Sequence, residues 1–284
     1  MLNGYKNSTI LAQEFYNDKL KLQKRIDFWN EYGTNPTSYG ERLESLISDS
    51  YENMLDIGCG NAQYSSRWLK YLKKSATFMD ISQDLLNVAS KNILEFNKNN
   101  VKINIKKENF LDENFGSEKY DLVIAMHVLQ HIDNISCALE KINMLSEPNG
   151  TIFITTYDNT LDDWLNTTHY QLLTDLKFPL RMLNKDQYLS FSGENAIQET
   201  RKVFKNIEEI KFHNDAIVTD CKKLLEYYES SMMFRMSEGK RSKDVSNQQW
   251  YKLKQQMYTK IKDEMSRNGY ILVKGRVQIL KIKK

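Results

Sequence analysis

The sequence predicts an α/β fold, in which a doubly wound, mostly parallel sheet follows N-terminal helices and a helical cap is inserted late in the sheet. Short apolar strands alternate regularly with helical patterns over residues 50–156. Such alternation is typical of a parallel sheet with helices on both faces. The first of these strands runs into two glycines, at Gly58-Cys59-Gly60, and the second ends at an acid, Asp80. After residue 156 the alternation stops, which indicates a differently built C-terminal region.

The N-terminal half supplies five predicted strands and the helices around them. Apolar residues recur every three to four positions over 8–32, which predicts a helix that ends near Gly33 and Asn35-Pro36. Ser82 is predicted to cap the helix after the second strand, and Pro148-Asn149-Gly150 to end the last helix. The strands are predicted at 53–57, 76–79, 101–105, 120–126 and 151–155, and the other helices at 38–49, 62–74, 82–96 and 133–146.

The C-terminal region combines helices with the last strands. Short helices are predicted around 160–176 and 184–189, a strand over 204–213, longer helices over 219–237 and 245–267, and two strand segments within 270–283 that join at Gly275. Because the long helices interrupt the sheet, we expect them to cover the crevice at its edge as a cap. No internal repeat and no low-complexity linker separates them from the rest of the chain.

Composition narrows the possible functions. The 284 residues include 40 Lys and Arg against 37 Asp and Glu, a net charge of +3 that does not favour a nucleic-acid partner. The three cysteines, Cys59, Cys137 and Cys221, are too scattered for a disulfide framework or a metal motif. No apolar run reaches the ~18 residues of a membrane span, so the sequence predicts a soluble, cytoplasmic protein without a resident metal.

Candidate site residues follow the predicted strands. In an open parallel sheet, ligands bind beyond the carboxyl ends of the strands, where the strand order reverses. Gly58–Gly60, Asp80, Asn109-Phe110 and Met126-His127 each stand at or just after such an end. We therefore expect residues that are distant in sequence to meet in one crevice.

The glycine turn indicates which ligand the crevice holds. A dinucleotide site needs three glycines, as Gly-x-Gly-x-x-Gly, but Gln63 stands where the third would be. Asp56 directly precedes the turn, and its carboxylate would repel a pyrophosphate and attract a cation. Asp80 can accept two hydrogen bonds from a ribose diol. The pattern favours S-adenosylmethionine, which carries a sulfonium, an ammonium and a ribose but no phosphate, over NAD.

The same residues resemble a known family. Leu55–Gly60 followed by Asp80 is similar to the cofactor motif of class I S-adenosylmethionine-dependent methyltransferases, and Tyr120–Asp133 resembles their fourth strand and the helix entry after it. The resemblance implies a Rossmann-like sheet of seven strands. It also implies one domain over 1–284, with a helical extension (1–49), a cofactor-binding core (50–156), and a substrate cap with the last strands (157–284).

Features outside the core are similar to a bacterial branch of these enzymes that acts on small molecules. They are Arg25-Ile26, Asn35-Pro36 and Phe191–Asn195. This similarity implies transfer of a methyl group to a nitrogen or oxygen of a small molecule, such as a specialised metabolite. A peptide or RNA methyltransferase, a non-catalytic S-adenosylmethionine-binding protein and a nicotinamide enzyme remain as alternatives. The sequence predicts neither the acceptor's identity nor the oligomeric state.

Roles for the cofactor site are carried over by position. The resemblance implies that Gly58 and Gly60 contact the methionine moiety and that Asp56 helps to hold its ammonium. Asp80 binds the ribose hydroxyls. The remaining predicted cofactor contacts are Asn109, Phe110 and Ile81 around the adenine, and Met126 and His127 beside the sulfonium. Many family members have an acid where this chain has Asn109, whose carbonyl oxygen can still meet the adenine amino group.

His127 and His131 are the candidate catalytic bases, because an imidazole titrates near neutral pH. Their spacing would stack them on one face of a helix. The pair would also suit a metal site, but no third ligand is evident, and His131 is equally suited to a structural role. Tyr157, Asp158 and His169 follow the fifth strand and are candidates for the substrate side.

Overall fold

Seven strands form the central sheet of the computed structural model, which describes residues 19–48, 50–158, 163–179, 182, 191–233 and 245–284. They are β1 (Tyr51–Ile57), β2 (Leu72–Asp80), β3 (Lys102–Lys107), β4 (Tyr120–Met126), β5 (Ser146–Tyr157), β6 (Asn206–His213) and β9 (Arg276–Lys283). Two further strands, β7 (Ala216–Val218) and β8 (Ile271–Val273), form a small antiparallel sheet.

The strand order is β3-β2-β1-β4-β5-β9-β6. All pairs from β3 to β5 are parallel, whereas β9 runs antiparallel to both β5 and β6. The predicted seven-stranded, mostly parallel sheet is confirmed. Since β1 pairs with β2 on one side and β4 on the other, the strand order reverses at β1, and a crevice opens there at the carboxyl ends.

Short polar side chains cap several of the helices at their N-termini. The helices are α1 (Lys19–Tyr32), α2 (Tyr39–Glu44), α3 (Gln83–Phe96), α4 (Ile135–Leu145), α5 (Trp164–Asp175), α6 (Gly193–Arg201), α7 (Cys221–Tyr228) and α8 (Asn247–Asn268). The predicted cap Ser82 accepts a hydrogen bond from the Leu85 N–H. Ser38 and Glu41 form a capping box at α2, which fixes where the chain turns after α1.

Both faces of the sheet are covered. Met54 packs with α2, α3 and the short 3-10 helix Ser65–Tyr71, whereas the next residue, Leu55, packs with α4 and α6. Successive strand residues point to opposite faces, so the continuous apolar runs of β1 and β4 supply both layers. This arrangement explains why these central strands are apolar throughout.

The late helices build a third apolar cluster beside the sheet. Side chains of α1, α5, α7, α8 and the β7–β8 sheet pack together, with Phe28 stacked on Tyr227 at a ring distance of 3.9 Å. The late helices predicted around 160–176, 219–237 and 245–267 are present as α5, α7 and α8, and they share a core with the N-terminal helix. The division of the chain into extension, core and cap stays a prediction.

Several element boundaries differ from the predictions. The helix predicted over 62–74 is the 3-10 helix Ser65–Tyr71, because Leu72 already pairs with Tyr51 and starts β2. Likewise β5 starts at Ser146, opposite Tyr120, and the residues around Pro148 bulge out before the next pair. The helix predicted over 38–49 spans only Tyr39–Glu44. Strand β7 was not predicted, and the helix predicted at 184–189 lies outside the described residues.

A buried histidine in α5 makes the stability of the fold sensitive to acid. His169 is 1% exposed, and its Nδ1 lies 2.9 Å from the Tyr228 hydroxyl. Burial lowers the pKa of His169 to about 3, below the ordinary value of 6.5. The unfolded chain therefore binds an extra proton between these values, and stability falls as the pH drops below 6.5, by about 1.4 kcal/mol per unit.

The expected result is a loss of about 2 kcal/mol in the free energy of unfolding from this histidine at pH 5. Urea unfolding of the wild type and His169→Gln at pH 7 and pH 5 measures the difference. Equal acid sensitivity in the wild type and His169→Gln would contradict the assignment.

Candidate active site

A cavity of about 450 Å³ lies at the carboxyl ends of β1, β2, β4 and β5, under α1, α5 and α7. This volume is in the range of small-molecule and cofactor sites. The ten residues proposed as cofactor contacts or catalytic bases all border it, namely Asp56, Gly58, Gly60, Asp80, Ile81, Asn109, Phe110, Met126, His127 and His131. The structure therefore brings the predicted set together in one place.

The glycine turn after β1 forms part of the cavity wall. Gly58 and Gly60 have φ angles of +63° and +57°, which favour glycine. A Cβ on Gly58 would lie 2.3 Å from Val128 Cγ2, so a side chain there would clash with the segment after β4. The Cys59 N–H donates to the Met79 carbonyl at 2.9 Å and ties the turn to β2.

Asp80 stands at the end of β2, directly beside the turn. One carboxylate oxygen accepts the Gly60 N–H and the other accepts the Ser82 N–H, both at 2.8 Å. Burial raises the pKa of Asp80, and these backbone hydrogen bonds oppose the rise. A carboxylate has about four acceptor positions, so two backbone bonds leave capacity for ligand hydroxyls.

Asp56 forms the acidic floor of the cavity together with Asp80. Its side chain is 2% exposed. Burial raises the pKa of Asp56 to about 7, a hydrogen bond with Ser65 opposes this, and the charge of Asp80 adds to it. Two buried carboxyl groups in one cavity favour a ligand that brings positive charge.

The residues predicted around the adenine follow β2 and β3. Ile81 and Asn109 are partly exposed, and Phe110 is buried with its ring 6.0 Å from that of Phe115. The Asn109 carboxamide oxygen accepts the Leu111 N–H at 3.1 Å. This bond fixes the turn and uses one of the two lone pairs of that oxygen.

His127 follows β4 in an unusual conformation. Its φ is +51°, and the strain is held by two hydrogen bonds, from its N–H to the Thr155 carbonyl (2.9 Å) and from Gln130 Nε2 to its carbonyl (2.8 Å). His131 ends the 3-10 helix Leu129–His131. The predicted stacking of the two histidines on one helix face is therefore wrong, because His127 precedes the helix in a left-handed conformation. Both still border the cavity.

A family model described as a methyltransferase domain matches residues 28–191, more than half of the chain. The chain is a class I S-adenosylmethionine-dependent methyltransferase. The match spans the glycine turn, Asp80 and both histidines, so the cavity and the family assignment coincide. S-adenosylmethionine is the cofactor of this enzyme.

Curated relatives agree with the family. The methyltransferase is 30% identical over 166 residues to a ubiquinone biosynthesis O-methyltransferase from Pasteurella multocida, covering 56% of this chain and 66% of the relative. It is 27% identical over 172 residues to a malonyl-[acyl-carrier protein] O-methyltransferase from Ilyobacter polytropus, covering 56% of this chain and 60% of the relative. The alignments thus span less than two thirds of either relative.

Solved structures share the fold at low identity. A phosphoethanolamine N-methyltransferase from Haemonchus contortus, in complex with phosphomonomethylethanolamine and S-adenosylhomocysteine, superposes with a TM-score of 0.55 at 16% identity, covering 100% of this chain and 60% of that one. The [4+2]-cyclase SpnF superposes with a TM-score of 0.53 at 12% identity, covering 100% of this chain and 97% of that one. Since a cyclase shares the fold, the fold alone does not fix the reaction.

The three candidates for the substrate side of the methyltransferase lie in different places. Tyr157 borders the cavity with its ring 5.0 Å from that of His127. Asp158 instead forms an ion pair with Lys211 at 3.4 Å and lies 3.8 Å from His213 Nε2. His169 is buried in α5, with its Nδ1 2.9 Å from the Tyr228 hydroxyl. Of the three, only Tyr157 is placed to meet a ligand.

Sequence reasoning missed Tyr39, which brings the N-terminal extension into the cavity. Its hydroxyl lies 3.0 Å from Thr155 Oγ1 and 3.4 Å from His127 Nε2, and burial raises the pKa of Tyr39 well above its usual value. The phenol is thus neutral at ordinary pH. The Ser38-x-x-Glu41 capping signature next to it was visible in the sequence, but nothing local showed that α2 packs against β5.

In the described part of the chain, no group of three or more His, Cys, Asp or Glu residues is arranged to hold a metal ion. Among the same residues, no helix is both long and apolar enough to span a bilayer.

Proposed function

We propose that the enzyme transfers a methyl group from S-adenosylmethionine to a nitrogen or oxygen of a small molecule, such as a specialised metabolite. The observation that carries this proposal is the cavity itself, which joins an acidic floor to a space covered by the cap. A cavity of about 450 Å³ suits a small acceptor better than a polymer. The names of the two O-methyltransferase relatives agree with it.

In the proposed binding pose, the cofactor contacts residues at the ends of β1, β2, β3 and β4 in turn. Gly58 and Gly60 let the backbone approach the methionine moiety, and Asp56 attracts its ammonium. The remaining oxygen lone pairs of Asp80 accept the ribose hydroxyls. The adenine lies between Ile81 and Phe110, within reach of the Asn109 amide, and Met126 and His127 adjoin the sulfonium.

The bound cofactor supplies a methyl group on a good leaving group, and the chain supplies orientation and exclusion of water. Tyr39 and Thr155 hold the His127 region in place, and α1 closes the cavity through Leu22, Arg25 and Trp29. A hydroxyl or protonated amine acceptor must also lose a proton. His127 and His131 are the proposed bases because both border the cavity.

The Asp56 carboxyl group should make cofactor binding depend on pH. With a pKa of about 7, it is partly protonated at neutral pH in the free enzyme, and a bound ammonium would favour its charged form. Binding then releases a proton, so the affinity rises as the pH increases from 6 to 8 and levels off above. Calorimetric titration with S-adenosylhomocysteine at several pH values measures this, and Asp56→Asn should abolish the dependence.

Turnover tests the proposed function directly. The enzyme is incubated with S-adenosylmethionine and a panel of phenols, amines, carboxylates and phosphate esters, and S-adenosylhomocysteine is quantified. Acceptor-dependent product is expected for at least one class, and no product with any class would contradict the proposal. His127→Ala and His131→Ala should retain cofactor binding, and at least one should lose turnover. Normal turnover in both variants would remove the histidines as bases.

A further inference from the structure

The part of the cavity around His127 and under the cap differs from the acidic floor, and we call it the acceptor half. Its lining includes six aromatic side chains, from α1, α2, β5, α5, β6 and α7. They are Trp29, Tyr39, Tyr157, Tyr170, Phe212 and Tyr227. We propose that the acceptor is an uncharged aromatic compound that is methylated on a ring hydroxyl. This inference rests on the proposed methyl transfer to a small molecule.

One wall of the acceptor half is a connected set of rings beside the reactive end. The Tyr39 ring lies 5.6 Å from Phe212 and 6.0 Å from His127, and His127 lies 5.0 Å from Tyr157. Three separate elements, α2, β4 and β5, fix these rings through the Tyr39–Thr155 hydrogen bond and the His127 backbone bonds. The wall is therefore preorganised before a ligand arrives.

A second wall is formed by Trp29 and Tyr227, which border the same cavity and have ring centroids 5.7 Å apart. Phe28 packs against both, stacked on Tyr227 and edge-on to Trp29. A Cβ on Gly275 would lie 2.8 Å from the Trp29 ring, so the glycine lets the β8–β9 turn pack closely on the indole. Two groups of aromatic rings in one lining favour an aromatic ligand.

The charged groups that border this half in the described part of the chain already have partners. Asp163 accepts hydrogen bonds from the Asn166 N–H (2.7 Å), the Asn166 amide (2.8 Å) and the Lys274 N–H (3.3 Å). Arg276 forms a two-point ion pair with Asp215, and Arg25 and Lys274, which also border the cavity, are engaged as well. A phosphate or carboxylate acceptor would need a cation here, and a protonated amine would need an anion. An uncharged acceptor needs neither.

A hydroxyl group is the nucleophile that such an acceptor can present without charge. In the transfer, the methyl–sulfur bond breaks and its electron pair stays on sulfur, while a hydroxyl lone pair forms the new carbon–oxygen bond. The hydroxyl proton passes to the imidazole of His127 or His131, and then to water. The neutral Tyr39 phenol remains beside His127 as a positioning group.

Binding to the complex with S-adenosylhomocysteine tests the acceptor class without requiring turnover. Calorimetry compares 2-naphthol with its saturated analogue decahydro-2-naphthol, with benzylamine and with phosphoethanolamine. We expect 2-naphthol to bind at least tenfold more tightly than the other three probes, since only the aromatic ring matches the walls. Equal or tighter binding of any other probe, or no binding of 2-naphthol, would overturn the inference.

Matched variants locate the binding. Trp29→Leu and Tyr227→Leu should each weaken 2-naphthol binding about tenfold, whereas Trp164→Leu, outside this cavity, should not. Unchanged affinity for S-adenosylhomocysteine shows that each variant is folded. Wild-type 2-naphthol affinity in both wall variants would overturn the inference. Methylation of benzylamine or phosphoethanolamine, but not 2-naphthol, would also overturn it and leave methyl transfer intact, whereas failure to bind S-adenosylhomocysteine would contradict the proposed cofactor site.

Discussion

Asp80→Ala is expected to weaken the binding of S-adenosylhomocysteine at least 100-fold. The proposed pose gives the Asp80 carboxylate two hydrogen bonds to the ribose, and bonds to a charged group contribute about 1.5–3 kcal/mol each. The same carboxylate holds the Gly60 and Ser82 N–H groups at 2.8 Å, so its loss also loosens the glycine turn. Isothermal titration calorimetry measures the change.

Asp84 provides the control for this variant. It is an acid four residues further on, in the first turn of α3, and does not border the cavity. Asp84→Ala should therefore bind S-adenosylhomocysteine with wild-type affinity. Wild-type affinity in Asp80→Ala would remove Asp80 from the site, and an equal loss in both variants would point to a general charge effect.

Gly58→Ala should destabilise the fold by about 3 kcal/mol, even without cofactor. A left-handed alanine costs about 1–2 kcal/mol, and crowding of a packed region adds about 1–3 kcal/mol. The crowding arises because the new Cβ would lie 2.3 Å from Val128 Cγ2. Urea unfolding of the cofactor-free enzyme measures the free energy of unfolding.

A substitution at Gly60 separates the cost of the left-handed conformation from the cost of crowding. Its φ is similarly positive, at +57°, but the nearest atom to an added Cβ is Leu22 Cδ2 at 3.8 Å. Gly60→Ala should thus lose only about 1 kcal/mol. Adding Val128→Ala to Gly58→Ala should relieve the clash and recover part of the difference. Equal losses in Gly58→Ala and Gly60→Ala would show that the close approach to Val128 is not important.

The part of the cavity at the ends of β1 and β2 could be predicted because its signals are local. A strand that runs into Gly58-Cys59-Gly60 and a second strand that ends at Asp80 are visible without any tertiary contact. The parallel pairing of β1 with β2 and β4 then brings their ends together. The same reasoning placed Met126 and His127 correctly at the end of β4.

The rest depends on contacts between distant parts of the chain. The left-handed conformation of His127 is held by Thr155 and Gln130, and Tyr39 reaches the cavity because its hydroxyl meets Thr155 in β5. The early start of β2 follows from pairing of Leu72 with Tyr51. None of these pairs has a signature in its own segment. The aromatic walls were hidden in the same way, since Trp29 and Tyr227 belong to helices 200 residues apart.

A crystal structure of the enzyme with S-adenosylhomocysteine tests the central claim most directly. The account predicts the ribose hydroxyls within hydrogen-bond distance of the Asp80 carboxylate, the adenine beside Phe110, the ammonium near Asp56 and the sulfur facing His127. A ligand whose ribose lies away from Asp80, or whose sulfur is turned from the aromatic acceptor half, would contradict it.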